Sequence, residues 1–139
     1  MGAVVTVGRD VDPAAFGPQP EQIRIERYVP QESVLPSCDL TINHGGSGST
    51  VGALSFGLPM VIIPLGADQA LTAERCEDLG VAILLDAMRL TPRDVRDAIR
   101  AVLGEPSYRA GAERIRDEIA DLPEAGAAVP LIERLTERS

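Results

Sequence analysis

The segment that most constrains this chain is a bend of small residues set between two apolar elements. Asp39-Leu40-Thr41-Ile42-Asn43 reads as a strand, and His44-Gly45-Gly46-Ser47-Gly48-Ser49-Thr50 follows it directly. Val51, Ala53, Leu54 and Phe56 then recur at helical spacing, with Gly57 placed to end the helix. Three glycines in the bend remove the Cβ atoms that would hold a ligand off the backbone. Unpaired N–H groups at a helix start, with the partial positive charge of the helix dipole, suit an anion such as a diphosphate and require no lysine. None is available, since all 13 cationic residues are arginine. Ser47, Ser49 and Thr50 add hydroxyl donors, and His44 is placed to give a ring N–H to a phosphate oxygen. The same residues also fit a plain strand-to-helix turn, with Ser49 or Thr50 as N-cap and His44 structural.

Around the bend, strands alternate with helices. Ala3 to Val7 is a β-branched run that predicts a strand buried on both faces. A loop rich in proline spans Asp10 to Pro20. Gln22 to Val29 alternates polar with apolar, as a strand near a sheet edge does, and a helical turn follows at Glu32 to Leu35. Met60 to Pro64 is the most apolar strand. Asp68 is placed to cap a helix carrying Ala70, Leu71, Ala73, Cys76 and Leu79, and Val81 to Leu85 is a further strand. Thr91 and Pro92 are an N-cap and first-turn proline ahead of Val95, Ala98, Ile99, Val102 and Leu103 at a 3.6-residue period. Helices over Tyr108 to Ala120 and Ala125 to Arg138 complete the chain. This order predicts an α/β fold: a doubly wound, Rossmann-like parallel sheet with helices on both faces, formed by residues 1–139 as one domain. Ligands of such sheets bind beyond the strand C-termini, where residues 44–50 and 66–69 fall.

Composition narrows the function. With 139 residues and 45% hydrophobic content the chain can bury one core, which excludes intrinsic disorder. A net charge of −8 without a basic cluster argues against binding nucleic acid or anionic lipid. Cys38 and Cys76 stand alone, without histidine or cysteine neighbours at zinc spacing, so neither a metal centre nor a disulfide framework is expected. No apolar run reaches a membrane span and no signal-peptide pattern opens the chain, so a cytoplasmic location is expected.

Two further groups carry candidate chemistry. In Gly66-Ala67-Asp68-Gln69 a carboxylate beside an amide offers acceptors and donors for neighbouring sugar hydroxyls, although Asp68 equally fits a helix cap. In Tyr28-Val29-Pro30-Gln31 the tyrosine is either a core residue before a proline turn or a flat face for a nucleobase.

Taken together, Tyr28-Val29-Pro30-Gln31, His44 to Ser49, Gly57-Leu58-Pro59-Met60, Pro64 and Asp68-Gln69 resemble the C-terminal, donor-binding domain of GT-B glycosyltransferases. The match is to the UDP-glycosyltransferase and bacterial natural-product family, and it covers nearly the whole chain. The resemblance implies a UDP- or TDP-sugar as substrate, a small-molecule acceptor, and neither metal nor cofactor. Tyr28 would stack on the base, the Val29 backbone would read its edge, and Gln31 would lie near the nucleoside. His44 would contact the diphosphate and stabilise it as it departs. Gly45, Gly46, Ser47, Gly48, Ser49 and Thr50 would surround it, and Asp68 and Gln69 would hold sugar hydroxyls. Members preferring UDP carry a glutamate eight residues after the histidine; here that position is Gly52, which favours TDP.

The resemblance also implies what is missing. Family members add an N-terminal domain with the acceptor pocket and catalytic base, and their C-terminal domain opens with a strand and helix that have no counterpart before Val4. Part of a glycosyltransferase is the leading reading. The alternatives are a donor-binding subunit completed by a separate N-terminal acceptor-binding chain, an inactive remnant, or an epimerase relative. An apolar sheet edge left open would also favour a homo-oligomer.

Overall fold

Five short parallel strands, distributed over two sheets, organise the computed structural model, which describes residues 2–136. The chain divides into two compact units that meet in sequence at Cys38 and Asp39. In the earlier unit, β1 (Ala3–Thr6) pairs in parallel with β2 (Ile23–Glu26), Ala3 opposite Ile23 and Thr6 opposite Glu26. The intervening loop contains a 3₁₀ turn, Pro13–Phe16, begun by Asp12 Oδ1 accepting the Ala14 N–H. After β2 come a one-turn helix, α1 (Gln31–Val34), and a 3₁₀ turn at Leu35–Ser37.

The expectation that the first strand is buried on both faces is not met. Every residue of β1 is exposed, with Val4 at 44% and Val5 at 43%. An apolar run is buried only where other layers cover it, and in the sheet β1 has one neighbour, β2.

The later unit holds β3 (Thr41–Asn43), β4 (Met60–Ile62) and β5 (Ala82–Leu84), in that spatial order and all parallel. The central strand β4 is fully buried, as its apolar sequence requires. Helices α2 (Ser47–Ser55) and α3 (Gln69–Asp78) form the two crossovers. α4 (Pro92–Gly104) lies against β4 and β5, where Val61, Ala98 and Val102 form a core cluster joined by Leu40, Ile83, Leu85, Ile99 and Tyr108. α5 (Pro106–Ala120) packs on α2 and α4. A 3₁₀ turn at Ala125–Ala128 leads to α6 (Val129–Thr136); the expected extension to Arg138 lies outside the described residues. Parallel strands flanked by helices agree with the α/β architecture read from the pattern.

Two details of the helices depart from the pattern. α2 begins three residues before Thr50, because Ser47, Gly48 and Ser49 are its first turn rather than a loop leading to it. On α3 only Ala73 and Cys76 are buried, while Ala70 and Leu71 face solvent, so the helix meets β5 along a narrower stripe than its apolar content suggests. Burial pushes the Cys76 thiol above its usual range, because the thiolate would lose its hydration. Cys38 is half-buried, its Sγ donating to the Val34 carbonyl at 3.3 Å, and Cys76 is buried. Among the described residues no helix is long and apolar enough to cross a membrane.

Candidate functional site

The bend lies at the C-terminal edge of the β3-β4-β5 sheet. Asn43, the last residue of β3, builds it. The Asn43 main-chain carbonyl accepts the Ile63 N–H at 2.9 Å, its side-chain Oδ1 accepts the Gly45 N–H at 2.8 Å, and its Nδ2 donates to Thr41 Oγ1 at 3.3 Å. A side chain that bonds the backbone two residues on is a turn device characteristic of asparagine. The chain then passes through Gly45 at φ +84, a left-handed conformation that glycine takes without a Cβ penalty. A Cβ there would also come within 3.0 Å of Ile62 Cγ2 and 3.1 Å of the Gln69 carbonyl oxygen. The bend is therefore seated on the end of β4 and the start of α3, which brings the two motifs of the second unit together.

At Gly46 the backbone is ordinary (φ −64, ψ 140), and glycine serves another purpose. A Cβ would collide with His44 Nε2 and stand 3.1 Å from Cε1, so the imidazole lies over the Gly46 Cα, at the mouth of α2. The ring is exposed and makes no hydrogen bond among the described residues.

Gly46 is also the N-cap of α2 and has no side chain to offer the helix. The helical ladder opens with Thr50 N–H donating to the Gly46 carbonyl at 2.9 Å. The N–H groups of Ser47, Gly48 and Ser49 have no acceptor among the described residues, and Ser47 and Gly48 are exposed. Three unpaired donors thus stand at the positive end of a nine-residue helix, an arrangement whose chemistry suits an anion.

The structure narrows the expected donor set at two positions. Gly45 keeps its place in the turn, but its N–H is occupied by Asn43. Thr50 is 4% exposed and its Oγ1 is buried without a partner among the described residues, so its hydroxyl does not face outward.

Beside the bend runs the loop from β4 to α3. Gln69 Oε1 accepts both the Leu65 N–H at 2.8 Å and the Gly66 N–H at 3.1 Å, which closes the loop on itself. Ala67 sits at φ +54, strained for a residue with a Cβ. Asp68 occupies the N-cap position of α3, yet its side chain accepts no hydrogen bond from the helix. Its carboxylate is exposed and unpaired among the described residues, so the capping role expected from the pattern is not its role here.

Tyr28, Val29 and Gln31 belong to the first unit. Tyr28 is 61% exposed, which removes the core reading, and the Arg9 guanidinium lies 5.3 Å from its ring centroid in cation–π contact. Val29 is half-buried and Gln31, the first residue of α1, is exposed.

Sequence reasoning missed Asn43, although an asparagine two residues before a glycine at a strand end is a readable turn signal. A shallow groove of about 620 Å³ lies at the opposite, N-terminal edge of the sheet, lined by Glu77, Gly80, Ala82, Glu105, Tyr108 and Arg114 among others. It holds none of the residues of the bend. Among the described residues no group of three histidine, cysteine, aspartate or glutamate side chains is placed to hold a metal ion.

Comparison with known proteins decides the family. Residues 4–135 match the family model described as erythromycin biosynthesis protein CIII-like, C-terminal domain. The chain belongs to this family. It covers the C-terminal domain of GT-B natural-product glycosyltransferases. Among curated relatives, 3-alpha-mycarosylerythronolide B desosaminyl transferase of Saccharopolyspora erythraea is 38% identical over 84% of this chain and 28% of its own length. The 4'-demethylrebeccamycin synthase of Lentzea aerocolonigenes is 37% identical over 95% of this chain and 31% of its own. Among solved structures, the glycosyltransferase VinC in complex with DTDP superposes with a TM-score of 0.91 at 34% identity, covering 99% of this chain and 35% of VinC. The spinosyn rhamnosyltransferase SpnG complexed with thymidine diphosphate gives 0.86 at 31%, covering 95% of this chain and 36% of SpnG. This family member thus spans about a third of the length of the proteins it matches.

Proposed function

We propose that this chain is the donor-binding part of a glycosyltransferase that holds a nucleoside diphosphate sugar, with TDP preferred over UDP, for transfer of a hexose or deoxyhexose to a small-molecule acceptor. The observation that carries the reading is the set of unpaired N–H groups of Ser47, Gly48 and Ser49 beneath the exposed imidazole of His44. A diphosphate bound there receives backbone hydrogen bonds, the helix dipole and a ring N–H. All three strengthen as negative charge builds on the departing phosphate during a single displacement with inversion at the sugar. The unpaired Asp68 carboxylate and the free amide end of Gln69 are assigned to the sugar. For the first unit, taken by itself, the exposed ring of Tyr28 is assigned a base-stacking role, with Val29 at the base edge and Gln31 near the nucleoside. Thymidine diphosphate in the VinC and SpnG structures supports the choice of nucleotide, as does Gly52. The acceptor pocket and catalytic base are assigned to a region outside this chain, so the chain alone is expected to bind donor without turnover.

His44 is the sole histidine, so its ring protons give a single, unambiguous NMR signature. Titration with TDP should shift them saturably together with the amides of residues 47–49, and UDP should bind more weakly. Loss of one hydrogen bond to a charged phosphate should make His44→Ala bind TDP about tenfold more weakly or worse. An absence of saturable shifts would overturn the proposal.

A further inference from the structure

β5 is the outermost strand of the β3-β4-β5 sheet, with β4 as its one neighbour among the described residues. Met60 N–H donates to the Val81 carbonyl and Leu85 N–H to the Ile62 carbonyl, each at 2.9 Å, so residues 81, 83 and 85 turn their main-chain groups toward β4. Ala82 and Leu84 turn theirs away. On that outer side Glu77, near the end of α3, accepts the Leu84 N–H through Oε1 at 3.2 Å. Glu77 and Ala82 line the same groove, so the side chain that caps Leu84 also walls the approach to Ala82, which is 2% exposed. The Ala82 N–H and the outward carbonyls of Ala82 and Leu84 have no partner among the described residues.

We infer that Glu77 guards this strand, and that what it excludes is β5 of a second copy of the chain. The outward groups are self-complementary. In an antiparallel pair of copies related by a two-fold axis at Ile83, Ala82 of one copy faces Leu84 of the other, and each such pair exchanges N–H···O bonds in both directions. The two sheets would then run on as one. Glu77 opposes this twice. Its oxygen takes the Leu84 N–H that the second strand requires, and the two-fold axis would bring both Glu77 carboxylates to one seam, where like charges repel.

The test uses a parent chain carrying Val4→Thr and Val5→Thr, so that the exposed valines of β1 do not contribute. Glu77→Ala removes cap and charge together, whereas Glu77→Gln removes the same charge but keeps an oxygen for the Leu84 N–H. Sedimentation over a concentration series reads the pairing, at about 0.15 M ionic strength, where charges are screened beyond ~8 Å. Glu77→Ala should pass from monomer to dimer as concentration rises, and Glu77→Gln should stay monomeric like its parent. Amide hydrogen exchange at the dilute, monomeric end reads the cap: Leu84 should exchange about tenfold faster in Glu77→Ala and at the parental rate in Glu77→Gln. Adding Leu84→Pro to Glu77→Ala removes the outward N–H without touching the ladder to β4, and should abolish the dimer. Should proline unfold the strand, the comparison of alanine with glutamine decides by itself. Unchanged Leu84 exchange in Glu77→Ala would overturn the cap. A Glu77→Ala chain that stays monomeric, or a dimer that survives Leu84→Pro, would overturn the guarded pairing. Equal dimerisation of the alanine and glutamine variants would assign the effect to charge alone and likewise overturn the cap.

Discussion

Gly46 offers a way to move the imidazole without touching anything else in the bend. Its φ and ψ are open to any residue, so alanine brings no backbone strain and should leave the urea midpoint nearly unchanged. The added Cβ would occupy the space of His44 Nε2 and force the ring aside. If the ring serves the diphosphate from where it lies, Gly46→Ala should weaken TDP binding about as much as His44→Ala does, and the double variant should be no worse than either, as calorimetric titration of the three would show. Additive losses would mean that the methyl obstructs the anion directly. Ala67 is the converse case. Its φ of +54 carries a Cβ penalty that glycine avoids, so Ala67→Gly should raise stability by up to about 1 kcal/mol, less than the full penalty because glycine also widens the unfolded ensemble. Urea denaturation checks the sign.

At the scale of elements, α5 is tied to the sheet by Arg109. Its Nη1 donates to the Gly57 carbonyl and its Nη2 to the Asp39 carbonyl, each at 3.0 Å, joining the start of α5 to the α2–β4 turn and to the approach to β3. Replacing it by methionine keeps the aliphatic stem and strips both bonds, which should cost about 1–2 kcal/mol in chemical denaturation. The start of α4 supplies a pH prediction. Thr91 Oγ1 and N–H donate to the Asp94 carboxylate at 2.6 and 2.9 Å, and with help from the Arg93 charge they hold its carboxyl below the ordinary range. A depressed folded-state pKa gives stability that is present above the unfolded value near 4 and is lost as pH falls through the folded one. The gap in urea midpoint between wild type and Asp94→Asn should therefore be open at pH 7 and close below about pH 4. The Thr91 N-cap and the Pro92 that follows it were legible in the sequence because a helix start is a local signal, whereas the reciprocal bond from Asp94 that completes the capping box came from the structure. The strands and helices were legible for a similar reason, since apolar period is local. Arg109 was not, because its acceptors lie 52 and 70 residues away. Nor was the idle carboxylate of Asp68, since a residue type predicts that a side chain can cap a helix, not that it does.

For the molecule as a whole, the apolar residues that found no cover matter most. Val4 and Val5 are exposed on β1, whose one paired edge is with β2. On α6, Val129, Ile132 and Leu135 are exposed at three-residue spacing along one side of the helix. Surfaces of this kind drive association, and a strand with a free edge adds unpaired backbone groups to them. Opposing this is the charge of −8, which makes copies of the chain repel one another. The two forces respond differently to salt. At about 0.01 M ionic strength the Debye length is ~30 Å and repulsion acts across the gap between approaching molecules, while at 1 M it is ~3 Å and only contact forces remain. Apolar burial, by contrast, is not weakened by screening. The chain should therefore approach its monomer mass of 14.7 kDa in dilute buffer and gain mass as sodium chloride is raised, as measured by light scattering on a sizing column. Val4→Thr with Val5→Thr keeps strand propensity and removes apolar area, and should suppress the gain if β1 is the adhesive surface. A mass that falls with added salt would instead assign association to ion pairs and leave β1 without a role in it.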